Sequence, residues 1–473
     1  MKKLKSLSPS GFLRLLFAFF TLAFLIGAVI LPDRKGMFDG LWRILSQPAK
    51  VSTNYFDYGG YSGAFLNAGL VCLICTALFF LPKAKANAAS VIAFLLTAGF
   101  AFWGINVLNI WFGFLGVALY CLVKRESLGA NVNAMIFTSG LAPLISDLLL
   151  RYPNADVTGF SWTGLLLALG VGLIIGFFLP AGLANSPNLH KGYDLYSAAV
   201  PIGMTAFFLR AVLYTVLGGN LSDLKVLTDL KVASWSVCNV FCFIIFGLCI
   251  VFALLMGCKP KDYWNLMKDS GHGVDYSQKY GTAATLMNVG VFGLFIVLYY
   301  NLVGATFNGV TLGCIFCMLA TCCSGSHPRN IWPIMVGYFC ASLLFEQLFV
   351  GADGAYAQAI NAQSIVMNVG SAAAGYGYEY VASTLDRVKD AALKQADAML
   401  EMPIMTPVSA DTWGVKESVM SEEDMPEWGS QEERGIEMEI TTAAAVLAGG
   451  SDAVILRHPE AVKTIAKMID ALM

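Results

Sequence analysis

The sequence predicts an α-helical polytopic membrane protein of about eleven spans, duplicated within itself and followed by a partial β/α segment. Three observations predict it. Of its 473 residues 57% are apolar and 13% charged, far from the balance of a soluble domain. The long apolar runs end near residue 350, and the charge divides at the same place: 1–350 carry 22 Lys/Arg and 13 Asp/Glu, whereas 351–473 carry 8 and 19. The net charge of −2 is therefore a basic body of +9 cancelled by an acidic tail of −11. All twelve cysteines lie from Cys72 to Cys340, mostly inside apolar runs, which excludes a secreted disulfide scaffold. Neither part has the basic stripe of a nucleic-acid binder.

Taking the elements in order, Lys2, Lys3, Lys5 and Arg14 precede an apolar run from Leu15 to Leu31 that ends in Leu-Pro-Asp-Arg-Lys. It lacks a small-x-small cleavage pattern and reads as a retained first span. Since crossing a bilayer takes about 20 apolar residues, further spans are expected near 63–82, 87–103, 107–123, 132–150, 161–184, 197–218, 233–258, 282–301, 305–323 and 331–350. The pairs 87–103/107–123 and 305–323/331–350 are tight hairpins with short members, open to a re-entrant or broken form. Lys83, Lys85, Lys124, Arg125, Lys191, Lys259, Lys261, Lys268, Lys279 and Arg329 fall on the same side as the basic N-terminus, which places that terminus inside, in a cytoplasmic membrane. The loop with Arg34, Lys35, Arg43 and Lys50 argues the other way.

Sliding the chain along itself aligns 55–116 with 276–337 without a gap and gives thirteen identities in 62 positions. Eight involve Gly, Asn or Trp, among them Asn67/Asn288, Gly69/Gly290, Asn87/Asn308, Gly104/Gly325, Asn109/Asn330 and Gly116/Gly337. Chance matching between apolar helices would favour Leu, Ala and Val instead. The pattern predicts a duplication, with one copy over about 11–218 and a shorter one over about 233–350. Copies separated by an odd number of spans face opposite ways, the inverted design of many solute transporters. Asn67 and Asn288 are then candidates to line a solute path, because an amide in hydrocarbon needs a partner or a ligand. They fit equally well as interhelical hydrogen bonds beside close-packing glycines. Asn109 and Asn330 open the second helix of each hairpin. Asp147 and Arg210 are charges inside apolar runs, joined either as an ion pair or in a solute or proton role. Asp194, in the loop Gly192–Tyr196, is a candidate ligand contact. Cys72/Cys75 and Cys314/Cys317 have metal-like spacing but sit in apolar helices, where small packing residues are expected.

From about Gln358 the pattern changes. Ser364–Val369, Pro403–Val408 and Ala453–Leu456 read as buried strands. Tyr378–Leu400, Arg434–Ala448 and Pro459–Leu472 read as helices, the last with Pro at its first turn. Such alternation means parallel β/α units.

Two family resemblances rest on these residues. Gly-x-Phe-Leu-Asn-Ala-Gly at 63–69, Leu-Met-Asn-Val-Gly at 286–290, Gly-Tyr-Asp-Leu-Tyr at 192–196 and Ser-His-Pro-Arg-Asn-Ile-Trp at 326–332 resemble an uncharacterised multi-pass membrane family, domain of unknown function 1576. This resemblance implies a membrane domain over 1–350 and no substrate. In the tail, Gly375-Tyr-Gly-Tyr-Glu-Tyr380, Asp386–Leu393, Met425-Pro-Glu-Trp-Gly429, Glu433-Arg-Gly-Ile436 and Leu456–Val462 resemble the C-terminal part of the delta subunit, the small corrinoid iron-sulfur protein, of the CO dehydrogenase/acetyl-CoA synthase complex. That resemblance implies a TIM-barrel fragment over 361–473, from a subunit that is non-catalytic or cofactor-holding. It also implies a corrinoid as the cofactor, and the large corrinoid subunit and acetyl-CoA synthase as partners. Barrel sites lie at the C-terminal strand ends, here near Gly375 and Tyr376, at Trp413, and at His458, which either meets a cofactor or simply opens the last helix. Three β/α units do not close an eight-stranded barrel, and the tail has no cysteine to hold an iron-sulfur cluster. Three functional readings follow: a small-solute transporter in the bilayer, a membrane-tethered part of a corrinoid methyl-transfer assembly, or two truncated coding sequences joined near 351–360.

Overall fold

The computed structural model describes residues 8–48, 54–152, 159–190, 196–216, 234–271, 274–344, 367–368, 385–390, 393–394 and 403–472. The chain divides into two units, Met1–Gly337 and Tyr338–Met473.

The first unit is helical. Its elements are α1 (Pro9–Ile30), α2 (Met37–Leu45), α3 (Tyr55–Leu78), α4 (Ala88–Phe100), α5 (Ile110–Lys124), α6 (Val132–Thr138), α7 (Ala142–Leu150), α8 (Trp162–His190), α9 (Ala199–Arg210), α10 (Ser234–Leu255), α11 (Pro260–Leu266), α12 (Tyr276–Lys279), α13 (Gly281–Leu302), α14 (Gly309–Leu319) and α15 (Pro328–Leu344). A π-helical turn, Ala211–Val216, extends α9. Local chemistry sets the ends. Ser8 Oγ accepts the Gly11 N–H at 3.2 Å and Pro9 takes the first turn of α1, which stops before Pro32. Asn87 and Ser90 close a capping box at the start of α4.

Each expected span has a helix among its described residues, but only six helical stretches among the described residues are long and apolar enough to cross a membrane: 9–30, 55–78, 128–150, 162–187, 234–255 and 281–302. The rest are short. At about 1.5 Å per residue, the 13 residues of α4 and the 11 of α14 rise only about 20 and 16 Å against a hydrocarbon core of about 30 Å. The expected 132–150 span is broken between α6 and α7 by a 3₁₀ turn, Ser139–Leu141. Pro143 follows at the first turn of α7 and lacks the N–H that a continuous helix would donate back.

Helix α4 packs against α14, and the paired positions fix their direction. A Cβ on Gly99 would lie 2.4 Å from the Gly313 carbonyl, while Cys317 Sγ sits 4.0 Å from the Leu96 carbonyl. Numbers that fall on one helix as they rise on the other mean an antiparallel crossing. Elsewhere α5 lies on α8 through glycines: a Cβ on Gly116 would meet Gly172 O at 2.6 Å and Gly176 Cα at 2.7 Å. At Gly337, the position aligned with Gly116, an added Cβ meets no described atom within 4 Å. Gly116→Leu is therefore expected to lower the thermal midpoint of detergent-solubilised protein by several degrees, as overpacking of about 1–3 kcal/mol implies. Gly337→Leu is expected to leave it unchanged.

The second unit contains β1 (Met367–Asn368), β2 (Ile404–Thr406), α16 (Val408–Thr412), α17 (Lys416–Val419), α18 (Gln431–Ala448), β3 (Ala453–Val454) and α19 (Pro459–Leu472). The strands form a parallel sheet in the order β1-β2-β3, with Met367 opposite Ile404 and Met405 opposite Ala453. Ile404, Val408, Ala443, Val446 and Ile465 form its core with Leu385. Parallel strands separated by helices agree with the β/α reading. Three strands of two or three residues form an open sheet, and no barrel is formed by the described residues.

Candidate functional site

The polar residues of the first unit gather where the short hairpins break. Between α4 and α5 the chain turns through Gly104, whose φ of 123° favours glycine. Asn67, fully buried on α3, holds this turn from outside. Its Nδ2 donates to the Ala101 and Ile105 carbonyls at 2.7 and 2.9 Å, and its Oδ1 accepts the Val107 N–H at 3.1 Å. Asn109 holds it from within, donating to Gly104 O at 2.9 Å and accepting the Asn106 N–H at 2.8 Å.

The same bonds recur at the aligned positions of the second hairpin. Asn288, also fully buried, donates to the Cys322 and Ser326 carbonyls at 2.7 and 2.9 Å, and the Tyr263 hydroxyl donates to its Oδ1 at 3.2 Å. Asn330 donates to Gly325 O at 2.7 Å and accepts the His327 N–H at 2.9 Å, with Gly325 at φ 156°. The Tyr55 N–H donates to Phe102 O at 3.1 Å, as Tyr276 does to Cys323 O at 2.9 Å. Two bonds then cross between the two hairpin regions at aligned positions: the Gly309 N–H donates to Asn54 Oδ1 at 3.0 Å, and the Ala88 N–H to Asp275 Oδ2 at 3.1 Å.

The Asn67 amide is thus bonded to backbone at its helix break, and the Asn288 amide to two carbonyls and the Tyr263 hydroxyl, contacts of the kind that the interhelical reading expects. The first hairpin also reaches a buried ion pair. Asn109 Nδ2 also donates to Ser146 Oγ at 2.9 Å. Its neighbour Asp147, 7% exposed, accepts from Arg151 Nε at 2.7 Å on one oxygen and from the Tyr214 hydroxyl on the other. The π turn after α9 carries Tyr214, and Tyr152 donates to the Leu213 carbonyl at 3.2 Å beside it. Tyr55, 1% exposed, faces the Asn106 amide and the Gly104 backbone N–H without closing a hydrogen bond of normal geometry to either.

Two sequence candidates, Asn67 and Asn109, therefore bond the same turn of the first hairpin, and a third, Asp147, is the chain neighbour of Ser146, which Asn109 bonds. Arg210 is not Asp147's partner: Arg151 is, and Arg210 is exposed at the end of α9. Asp194, Gly375 and Tyr376 lie outside the described residues. Arg151, Ser146 and Tyr214 were missed by the sequence reading. Arg151 carried a usable signal, an Asp–Arg spacing of four on one helical face; Tyr214 carried none.

Beyond the second hairpin, the Asp269 carbonyl accepts from His327 Nε2 at 3.0 Å. Burial works against the charge of the Asp269 carboxylate. Bonds from Lys279 Nζ (2.6 Å), Tyr280 OH (2.6 Å) and the Gly271 N–H (3.0 Å) outweigh that and hold the group down to about 2. A carboxyl depressed on folding contributes stability above its ordinary pKa near 4 and loses it as pH falls through about 2. Asp269→Asn is expected to lower the thermal midpoint at pH 7, by at most about 2 kcal/mol of stability. At pH 2 or below the variant and parent should melt together.

In the second unit Trp413 and His458 meet at the C-terminal ends of β2 and β3, their rings stacked 6.1 Å apart, with the Arg457 guanidinium 5.2 Å from the Trp413 ring. Glu439, fully buried, fixes this corner by accepting the Arg457 and His458 N–H groups at 2.5 and 3.0 Å. Both His458 ring nitrogens are engaged, Nε2 with Glu432 at 3.2 Å and Nδ1 with the Glu460 N–H at 3.2 Å. The imidazole stands at the opening of the last helix, Pro459–Leu472.

Residues 33–215 and 258–360 match the model of a family described as "Protein of unknown function (DUF1576)". Among curated proteins, the chain is 35% identical over 113 residues to the acetyl-CoA decarbonylase/synthase complex subunit delta of Archaeoglobus fulgidus, covering 23% of this chain and 24% of that protein. It is 32% identical over 111 residues to subunit delta 2 of Methanosarcina acetivorans, covering 23% and 25%. The chain spans about a quarter of the length of the curated relatives it matches.

Proposed function

Given that the chain belongs to the family described as "Protein of unknown function (DUF1576)", whose model matches more than half of its length, we propose that its first unit is a multi-pass small-solute transporter of the cell membrane, built from two inverted copies of one broken-hairpin unit. The observation that carries this reading is the recurrence, at aligned positions of the two hairpins, of the bonds made by Asn67 and Asn288 and by Asn109 and Asn330. The reciprocal Asn54–Gly309 and Asp275–Ala88 bonds support it further. Broken helices against buried polar groups are where such proteins hold solutes, and the adjoining Asn109–Ser146 and Asp147–Tyr214 pairs are the part of this molecule that fits.

Epitope tags at Lys83 and at Gly304, which align with each other in the two halves, test the inversion in intact and permeabilised cells. The expected result is a tag reached from outside only at Gly304; both tags on one side would overturn it. Transport is tested with purified protein in liposomes and a panel of labelled amino acids, carboxylates, nucleosides and inorganic ions. At least one should accumulate in a manner abolished by Asp147→Asn, and no flux across the panel would sink the reading.

A second reading is favoured by the delta-subunit similarity: the C-terminal unit tethers an acetyl-CoA synthase type assembly to the membrane, with the large corrinoid subunit and acetyl-CoA synthase as partners. With His458 engaged on both nitrogens, this role is one of docking. Hydroxocobalamin titrated into the full chain should then give no shift in its absorption spectrum; a shift lost on His458→Ala would restore the cofactor-holding role. A third reading, two coding sequences joined near 351–360, predicts an intact mass that ends or changes at that point.

A further inference from the structure

An apolar groove opens at one end of the first unit, between the N-terminal half of α1, the C-terminal end of α10 and the start of α13. It has a volume of about 330 Å³ and is lined by residues including Phe12, Leu16, Phe19, Phe252, Met256 and Leu286, within the size range of small-molecule sites. Such sites usually carry a few polar groups to orient a ligand; these walls are hydrocarbon and a thiol, Cys249, which suits an alkyl chain. The groove stops where the chain turns polar. Met256 is followed by a turn at Gly257, with φ 85°, and then by Lys259 and Lys261, both exposed. Neither lysine is in an ion pair among the described residues, and the nearby Asp262 carboxylate is engaged by the Lys259 backbone N–H at 3.1 Å. Trp264 on α11 is 51% exposed, with the Arg329 guanidinium 5.7 Å from its ring. An exposed indole beside cations marks the headgroup level of a bilayer.

We propose that this groove seats one acyl chain of an anionic phospholipid from the surrounding bilayer, with the headgroup held by Lys259 and Lys261. The occupant follows from the order of the surfaces: hydrocarbon within the membrane, net positive charge where it ends. A neutral lipid would leave two lysines against the single Asp262 carboxylate. The inference rests on the membrane location of the first unit and is independent of whether it transports a solute.

The test is native mass spectrometry of the full chain released from nanodiscs of equal phosphatidylglycerol and phosphatidylcholine. One phosphatidylglycerol per chain should be retained preferentially. Lys259→Gln/Lys261→Gln should reduce that preference about fivefold per lysine, leaving total bound lipid nearly constant. Leu286→Trp, which fills the groove, should remove bound lipid of both kinds; Met256→Phe is the milder filling variant, should the tryptophan disturb folding as judged by gel filtration. Equal retention of the two lipids by the parent chain would overturn the headgroup assignment. Unchanged lipid binding in a folded filling variant would overturn the groove.

Discussion

Asn67→Ala is expected to destabilise the membrane unit by about 3–9 kcal/mol, much of the roughly 5–15 kcal/mol that holds a typical domain folded. The side chain occupies two carbonyls and one N–H at the break between α4 and α5. Its removal strands all three in a fully buried position, at about 1–3 kcal/mol each. Asn67→Asp should be nearly as damaging, because a carboxylate cannot donate to the Ala101 and Ile105 carbonyls. Asn288→Ala should behave alike through Cys322, Ser326 and Tyr263. Asn185→Ala, at an exposed helix position, is the control and should change little. Thermal unfolding in detergent, followed by gel filtration with fluorescence detection, reads all four. An Asn67→Ala chain that unfolds at the parent temperature but loses solute flux would return this residue to the role of a solute contact.

The second large effect is at the buried ion pair. Arg151→Met leaves the Asp147 carboxylate to Tyr214 in a site 7% exposed, and breaking such a pair costs about 3–5 kcal/mol. Removing both charges in Asp147→Leu/Arg151→Met should recover most of the loss, since well-packed apolar pairs often match buried ion pairs in stability. The double variant would then be folded and inactive if Asp147 serves transport. A double variant as unstable as Arg151→Met would mean that Asp147 is held chiefly by Tyr214 and the turn that carries it.

The legible parts of the sequence were those governed by local chemistry. The last helix was bounded at Pro459 and Leu472 because Pro opens it and an apolar stripe runs its length. The strand around Ile404–Thr406 was visible as an apolar run between prolines and helices. The residues at the two helix breaks, Asn67, Gly104 and Asn109 and likewise Asn288, Gly325 and Asn330, could be singled out because Gly and Asn there are chosen by backbone geometry, which few other residues satisfy. What the apolar runs concealed was length: α4 and α14 are as hydrophobic as a span and too short to be one. Partnership was concealed too. Ending a span at Leu150 cut Arg151 away from Asp147, and the Tyr214 contact depends on a π turn 67 residues later in the chain. The Trp413–His458 stack was reachable in part, because both residues follow parallel strands that lie side by side.

The contact of Cys317 with the Leu96 carbonyl joins two residues that align with each other when 55–116 is laid on 276–337, so each touches its own counterpart. In a two-fold arrangement that happens only on the axis. If the halves rock against each other, this point is the fulcrum and moves least. In the inverted transporter proposed above, a spectroscopic label on Cys317 should therefore report almost no change on addition of a transported solute, whereas labels placed at Lys83 and Gly304 would sweep the full arc.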